Sequence, residues 1–106
     1  MQLDNTIARL AALSARPRLD VLRLLVKHGG EKGMHIAEIA RRLDVPLGNL
    51  PTHLLHLSNA GLVRSRREGR NVVYSVTFES VEETIQFLAD ECAGGRVIVA
   101  VKNPVI

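Results

Sequence analysis

Apolar residues recur at helical spacing through the first sixty positions and give way to short β-branched runs after Gly61. Asp4 offers an N-cap for a first helix that carries Ile7, Leu10, Ala11 and Leu13 along one side. Pro17 suits the first turn of a second helix, where no backbone N–H is needed. Leu19, Leu22, Val26 and the Leu24-Leu25 pair give that helix its apolar side, and Gly29-Gly30 follow it. The glycine-rich run from Gly29 to Gly33 lacks the Gly-Lys-Ser/Thr ending of a phosphate loop and reads as a turn. A third helix is expected over His35–Leu43, with Ile36, Ile39, Ala40 and Leu43 inward. Asp44 stands where a left-handed residue closes such a helix. Val45-Pro46 continues the turn, and a fourth helix runs to about Ala60 with Gly61 as its stop. Two short helices joined so tightly predict a helix-turn-helix.

Beyond Gly61, Leu62-Val63 leads into an arginine-rich stretch, Gly69 supplies a turn, and Val72-Val73-Tyr74-Ser75-Val76 returns. The pattern is a two-stranded hairpin, or wing. Ser80-Val81-Glu82-Glu83 has capping-box spacing and opens a final helix. Val81, Ile85, Leu88 and Ala89 or Cys92 stripe one side of it, and the other side is acidic. So small a domain buries a modest share of its surface, so a terminal helix with a full apolar stripe predicts a dimer seam. The expected fold is mainly α with a two-stranded β-wing, in the order α-α-α-α-β-β-α.

Length and composition narrow the class. The 106 residues give room for one small domain, and 46% hydrophobic with 24% charged residues argues against a mainly disordered chain. The longest apolar run, Val97 to Val101, falls far short of a bilayer span, so no membrane partner is expected. Met1-Gln2-Leu3-Asp4 has neither the basic nor the apolar region of a secretory signal. The single cysteine, Cys92, allows no intrachain disulfide and suits a reducing cytoplasm. The net charge of +3 is unevenly placed: residues 1 to 76 carry twelve Lys/Arg against six Asp/Glu, and residues 77 to 92 carry five acidic residues and no basic one. The basic front suits a polyanion, and the acidic rear is free for another task.

The fourth helix gives the basic front a purpose. Leu50, Leu54 and Leu57 form its core stripe, while Asn49, Thr52, His53 and His56 form a second stripe about 110° round. Asparagine can pair with adenine, threonine can meet a thymine methyl, and histidine can donate to guanine or phosphate. Arg64, Arg66, Arg67 and Arg70, four arginines in seven residues, flank this stripe and suit phosphate. Taken singly, the stripe is a polar surface helix and the cluster a solvated hairpin. Together with the tight turn they point to double-stranded DNA. His53 and His56 are too few to close a zinc site, and no nucleophile–base pair, catalytic carboxylate pair or cofactor loop suggests an enzyme.

These segments resemble the ArsR/SmtB family of bacterial winged-helix repressors. Leu13 to Leu25, with Ala15-Arg16-Pro17-Arg18-Leu19, is similar to the family's opening, and Ile36-Ala37-Glu38-Ile39-Ala40 to its helix-turn-helix entry. Thr52-His53-Leu54-Leu55-His56-Leu57-Ser58-Asn59-Ala60-Gly61-Leu62-Val63 resembles its recognition segment, and Arg64 to Tyr74 its wing. The resemblance implies a homodimer joined through its first and last helices, with Ile7, Leu10, Val81, Ile85 and Leu88 in the seam. Each dimer would grip an inverted-repeat operator, repress it, and release it when an effector arrives. The end of the last helix, Asp90-Glu91-Cys92-Ala93-Gly94-Gly95, is similar to that of arsenic-response repressors, which makes Cys92 the implied effector residue.

Departures from the pattern qualify that implication. Ala93 replaces a second cysteine and no further thiol follows, so the trithiolate that arsenite prefers cannot be assembled from protein alone. The family's Cys-x-Cys metal site falls on His35-Ile36-Ala37, and its last-helix zinc site lacks histidines here. No cofactor is required; arsenite or another thiophilic effector remains the implied ligand of an incomplete site. Acidic Asp90 and Glu91 are poor neighbours for a redox-reactive thiol, and Cys92 is expected half-buried in the dimer helix. Pro51 replaces a serine, which predicts a later helix start with Asn49 as cap, and Leu55 replaces a common lysine. Residues 1–95 are read as the DNA-binding and dimerisation domain and 96–106 as an apolar tail. The alternatives are a winged-helix interaction module that does not read DNA, or a regulator answering to redox or an organic ligand.

Overall fold

The structure, a computed structural model, describes residues 2–96. The tail from Val97 onward lies outside the described residues. Helix α1 spans Gln2–Leu13, and α2 spans Arg16–Leu24 and continues as a π-helical turn over Leu25–Gly29. Strand β1 is only Met34–His35, α3 is Ile36–Leu43, and α4 is Leu50–Asn59. Strands β2 (Val63–Glu68) and β3 (Asn71–Val76) form the wing, and α5 (Phe78–Phe87) runs into a second π-helical turn over Leu88–Cys92.

The sheet has three strands in the order β1-β3-β2, all antiparallel, where a two-stranded wing was expected. Pairing of β2 with β3 runs from Val63↔Val76 to Glu68↔Asn71, and β1 adds Met34↔Tyr74 and His35↔Val73. His35 therefore belongs to a strand, and α3 starts one residue later than expected. Two residues carry no legible alternation, which is why the pattern missed β1. Gly33 makes the pairing possible: it has φ +79°, and a Cβ placed there would lie 2.5 Å from the Tyr74 carbonyl oxygen.

The core is aliphatic. Val21, Leu25, Ile39, Leu50, Leu54, Leu57 and Leu62 are almost wholly enclosed, joining α2, α3, α4 and the root of the wing. Leu19 and Val26, expected on the inner side of α2, are exposed, and Val21 takes the central place instead. Val21 and Leu25 lie four residues apart and so share the face that meets α3 and α4. Helix α1 starts at Gln2, so Asp4 sits within its first turn rather than capping it, near the positive end of the helix dipole. Helix α5 likewise starts at Phe78, after Thr77, which places Ser80 inside the first turn instead of at the cap.

Helices α3 and α4 end in the same hydrogen-bonded device. At the end of α3, Val45 N–H donates to Ala40 O (3.1 Å) and Asp44 N–H to Arg41 O (3.3 Å), with Asp44 at φ 54°. At the end of α4, Leu62 N–H donates to Leu57 O (3.0 Å) and Gly61 N–H to Ser58 O (2.9 Å), with Gly61 at φ 80°. Leu57 and Leu62 are both buried, which supplies the apolar contact that accompanies this motif.

Candidate nucleic-acid interface

The turn after Asp44 sets the start of α4. Pro46 is extended, Leu47–Asn49 form one 3₁₀ turn, and α-helical geometry begins at Leu50 with Pro51 in the first turn. Proline there forfeits no intrahelical bond, so the delayed start expected from Pro51 is what the backbone adopts. Asn49 occupies the capping position, but its side chain makes no capping hydrogen bond and its φ of −90° is helical rather than extended. It is exposed to solvent.

Helix α4 turns Leu50, Leu54 and Leu57 into the core, which fixes where every other side chain points. Thr52 and His56 are exposed on the outer side. His53 differs: it is half-buried, its Nδ1 is enclosed without a hydrogen-bond partner, and it lines a groove of about 220 Å³ between α2 and α4. Asp20, Leu43, Pro46 and Asn49 share that groove. Directly opposite the core lie Thr52, Leu55 and Asn59, and Leu55 is 59% exposed. In the sequence Leu55 stands out only as the replacement of a common lysine. Its exposure follows from the helical phase, which the three core leucines already define.

The wing presents its arginines on two sides. Arg64 and Arg66 alternate with Arg67 along β2, and Arg70 sits beside Gly69 in the turn, which has φ 61°. All four are exposed. Arg66 is held in place: its Nη2 donates to Lys32 O and to Glu68 Oε2, each at 2.8 Å. Among the described residues, Arg64, Arg67 and Arg70 form no ion pair. Three guanidinium groups without ion pairs along the wing can meet phosphate. The exposed basic pair Arg41 and Arg42 at the end of α3 shares one carboxylate, Glu38, which lies 3.8 Å from the first and 3.0 Å from the second.

A second surface lies on α1 and α5. Leu3, Ile7 and Leu10 are 51%, 57% and 42% exposed along one side of α1, and Phe78 and Ile85 are exposed on α5. Val81 and Leu88 are half-buried, and Val81 packs on the core. The side of α1 turned toward the protein carries two buried polar residues, Thr6 and Arg9, followed by Ala12 of the core. Arg9 Nη1 donates to Ser80 O, Glu83 Oε1 and Thr84 Oγ1 on α5. Sequence offers no sign of this, because an arginine in an amphipathic helix reads as surface. Cys92, expected half-buried, is exposed at the end of the π-helical turn beside Ala93 and Arg96. Among the described residues no three His, Cys, Asp or Glu gather as metal ligands.

Comparisons with known proteins agree with this architecture. The helix-turn-helix domain family matches residues 13–66. The chain is 28% identical over 84 residues to the transcriptional activator HlyU of Vibrio cholerae, covering 79% of this chain and 74% of that protein. It is 35% identical over 74 residues to the uncharacterized HTH-type transcriptional regulator MJ1325 of Methanocaldococcus jannaschii, covering 70% and 79%. Among solved structures, the ArsR-like transcriptional regulator from Rhodococcus sp. RHA1 superposes with a TM-score of 0.75 at 27% identity, over 88% of this chain and 84% of that one. The homodimeric winged helix-turn-helix DNA-binding domain of Mb0332 from Mycobacterium bovis matches with a TM-score of 0.66 at 27% identity, over 92% and 90%.

Proposed function

Because the chain belongs to the ArsR-type winged helix-turn-helix family of transcriptional regulators, we propose that it binds an inverted-repeat DNA operator as a homodimer and represses transcription from it. The observation that carries this reading is the combination of α4, with Thr52 and His56 outward, and a wing with three unpaired arginines. Asn49, Thr52, His53 and His56 are assigned to the major groove, and Arg64, Arg66, Arg67 and Arg70 to the backbone and flanking minor groove. The role is binding without catalysis, exercised in the cytoplasm where the chromosome is, by a unit spanning residues 1–95. Dimerisation is assigned to Ile7, Leu10, Val81, Ile85 and Leu88. The exposed apolar side of α1 supports this, and so does the homodimeric state of the Mycobacterium bovis relative.

The effector is assigned to thiol chemistry at Cys92 in a metalloid or metal-stress response. One exposed thiol per chain supplies two per dimer, one short of the three that arsenite prefers. The effector therefore has to bring a further ligand or react with a single sulfur. Random-site selection followed by fluorescence anisotropy tests the whole reading. A selected duplex should bind with a steep salt dependence that flattens in Arg67→Ala and Arg70→Ala, and arsenite or an oxidant should release wild type but not Cys92→Ser. Equal binding of all duplexes would sink the operator assignment, absence of binding to any duplex would sink the DNA assignment, and release that survives the loss of Cys92 would sink the effector assignment.

A further inference from the structure

The outer side of α4 is less polar than base reading by hydrogen bonds requires. Leu55 is 59% exposed, more than any other large apolar side chain among the described residues, and Leu47 is 50% exposed in the 3₁₀ turn that leads into the helix. Pro51 is also exposed, and it lies four residues before Leu55 on the same side of the helix. Thr52, three residues before Leu55, adds a methyl group beside its hydroxyl. Leu47, Pro51 and Leu55 have no side-chain donor or acceptor, so they gain nothing from a base edge except through apolar contact.

We infer that this strip reads the C5 methyl groups of thymine in the major groove, so that methyl contact sets much of the sequence preference. The inference rests on the DNA-binding role proposed above. The C5 methyl is the one apolar group that any base pair shows in the major groove, and burying it against leucine gains free energy in proportion to the area covered. The strip's place in the chain selects the occupant: it lies on α4, the helix assigned above to the major groove, and the wing that follows carries the exposed Arg64, Arg67 and Arg70 for phosphate, which suits a polyanion that carries apolar groups between its phosphates. Thymine-rich half-sites meet both conditions.

The test uses the duplex obtained by random-site selection, with each dT replaced singly by deoxyuridine, which differs only in lacking the methyl. Wild-type protein should lose about fourfold in affinity for each contacted methyl removed. Leu47→Ala and Leu55→Ala should bind the dT and deoxyuridine duplexes equally at the position each contacts, with the salt dependence of binding unchanged. Both leucines are exposed, and thermal melting checks that the variants stay folded. Equal wild-type affinity for dT and deoxyuridine duplexes at every position overturns the inference, as does a selected half-site without thymine. A methyl preference that persists in both leucine variants overturns it too. A selection that enriches no sequence overturns the inference, and failure to bind any duplex at low salt overturns the DNA-binding role itself.

Discussion

Arg9 on α1 and Glu83 on α5 lie 3.3 Å apart with opposite exposure: the arginine side chain is 8% accessible and the glutamate 61%. The pair is therefore one buried cation that also contacts Ser80 O and Thr84 Oγ1, with a solvated carboxylate at its edge. Unequal partners predict unequal mutants. Arg9→Ala should lower unfolding stability by about 2 kcal/mol, through lost packing of its buried stem and lost charge-assisted contacts to Ser80 O and Thr84 Oγ1, which keep their own 2.8 Å bond to each other. Glu83→Gln should cost less than about 1 kcal/mol, the ordinary worth of an exposed ion pair. Urea denaturation at fixed protein concentration measures both, and equal losses would contradict this account.

Gly33 and Gly69 both have positive φ, but only Gly33 faces an obstacle, the Tyr74 carbonyl. Gly69→Ala should cost about 1 kcal/mol, the backbone penalty alone. Gly33→Ala carries the same penalty and must also push β1 away from β3, so its midpoint should fall further, by a total of about 3 kcal/mol. Similar losses in thermal melts of the two variants would show that the strand pairing does not depend on this close approach.

Asp44 is the one described non-glycine residue with positive φ. Asp44→Gly should raise stability by about 1 kcal/mol, because glycine adopts this backbone without the steric cost. Asp44→Ala should lower it. A destabilised glycine variant would mean that the aspartate side chain supports the turn in a way that the backbone bonds to Ala40 and Arg41 do not reveal.

Ile7 and Ile85 are exposed apolar residues on the two helices assigned to the subunit contact. Replacing either by aspartate should leave the monomer fold intact while shifting sedimentation equilibrium toward monomer by at least tenfold in dissociation constant, or about 1.4 kcal/mol. A dimer that survives both substitutions with unchanged affinity must be joined elsewhere.

The helix-turn-helix was legible because its signals are local. Asp44 marks the end of α3, Pro51 delays α4 and Gly61 stops it, and each acts through the backbone of its own segment. The wing was legible for the same reason, from Gly69 between two β-forming runs. Strand β1 was not, because its two residues are selected by Tyr74 and Val73 across the sheet. The inward side of α1 was missed because Arg9 finds partners more than seventy positions away, on α5. At the reading surface, the residue types were visible but their depth was not: His53 sinks to the edge of a groove while Leu55 stands fully out.

The peptide at Leu62 serves two elements at once. Its N–H closes α4 on Leu57 O, and its carbonyl accepts from Thr77 N–H at 2.9 Å, at the threshold of α5. Helix α4, the wing and α5 thus meet at a single joint, and that joint lies within the hydrophobic core. Displacing the first turn of α5 therefore strains the same residue whose N–H closes α4.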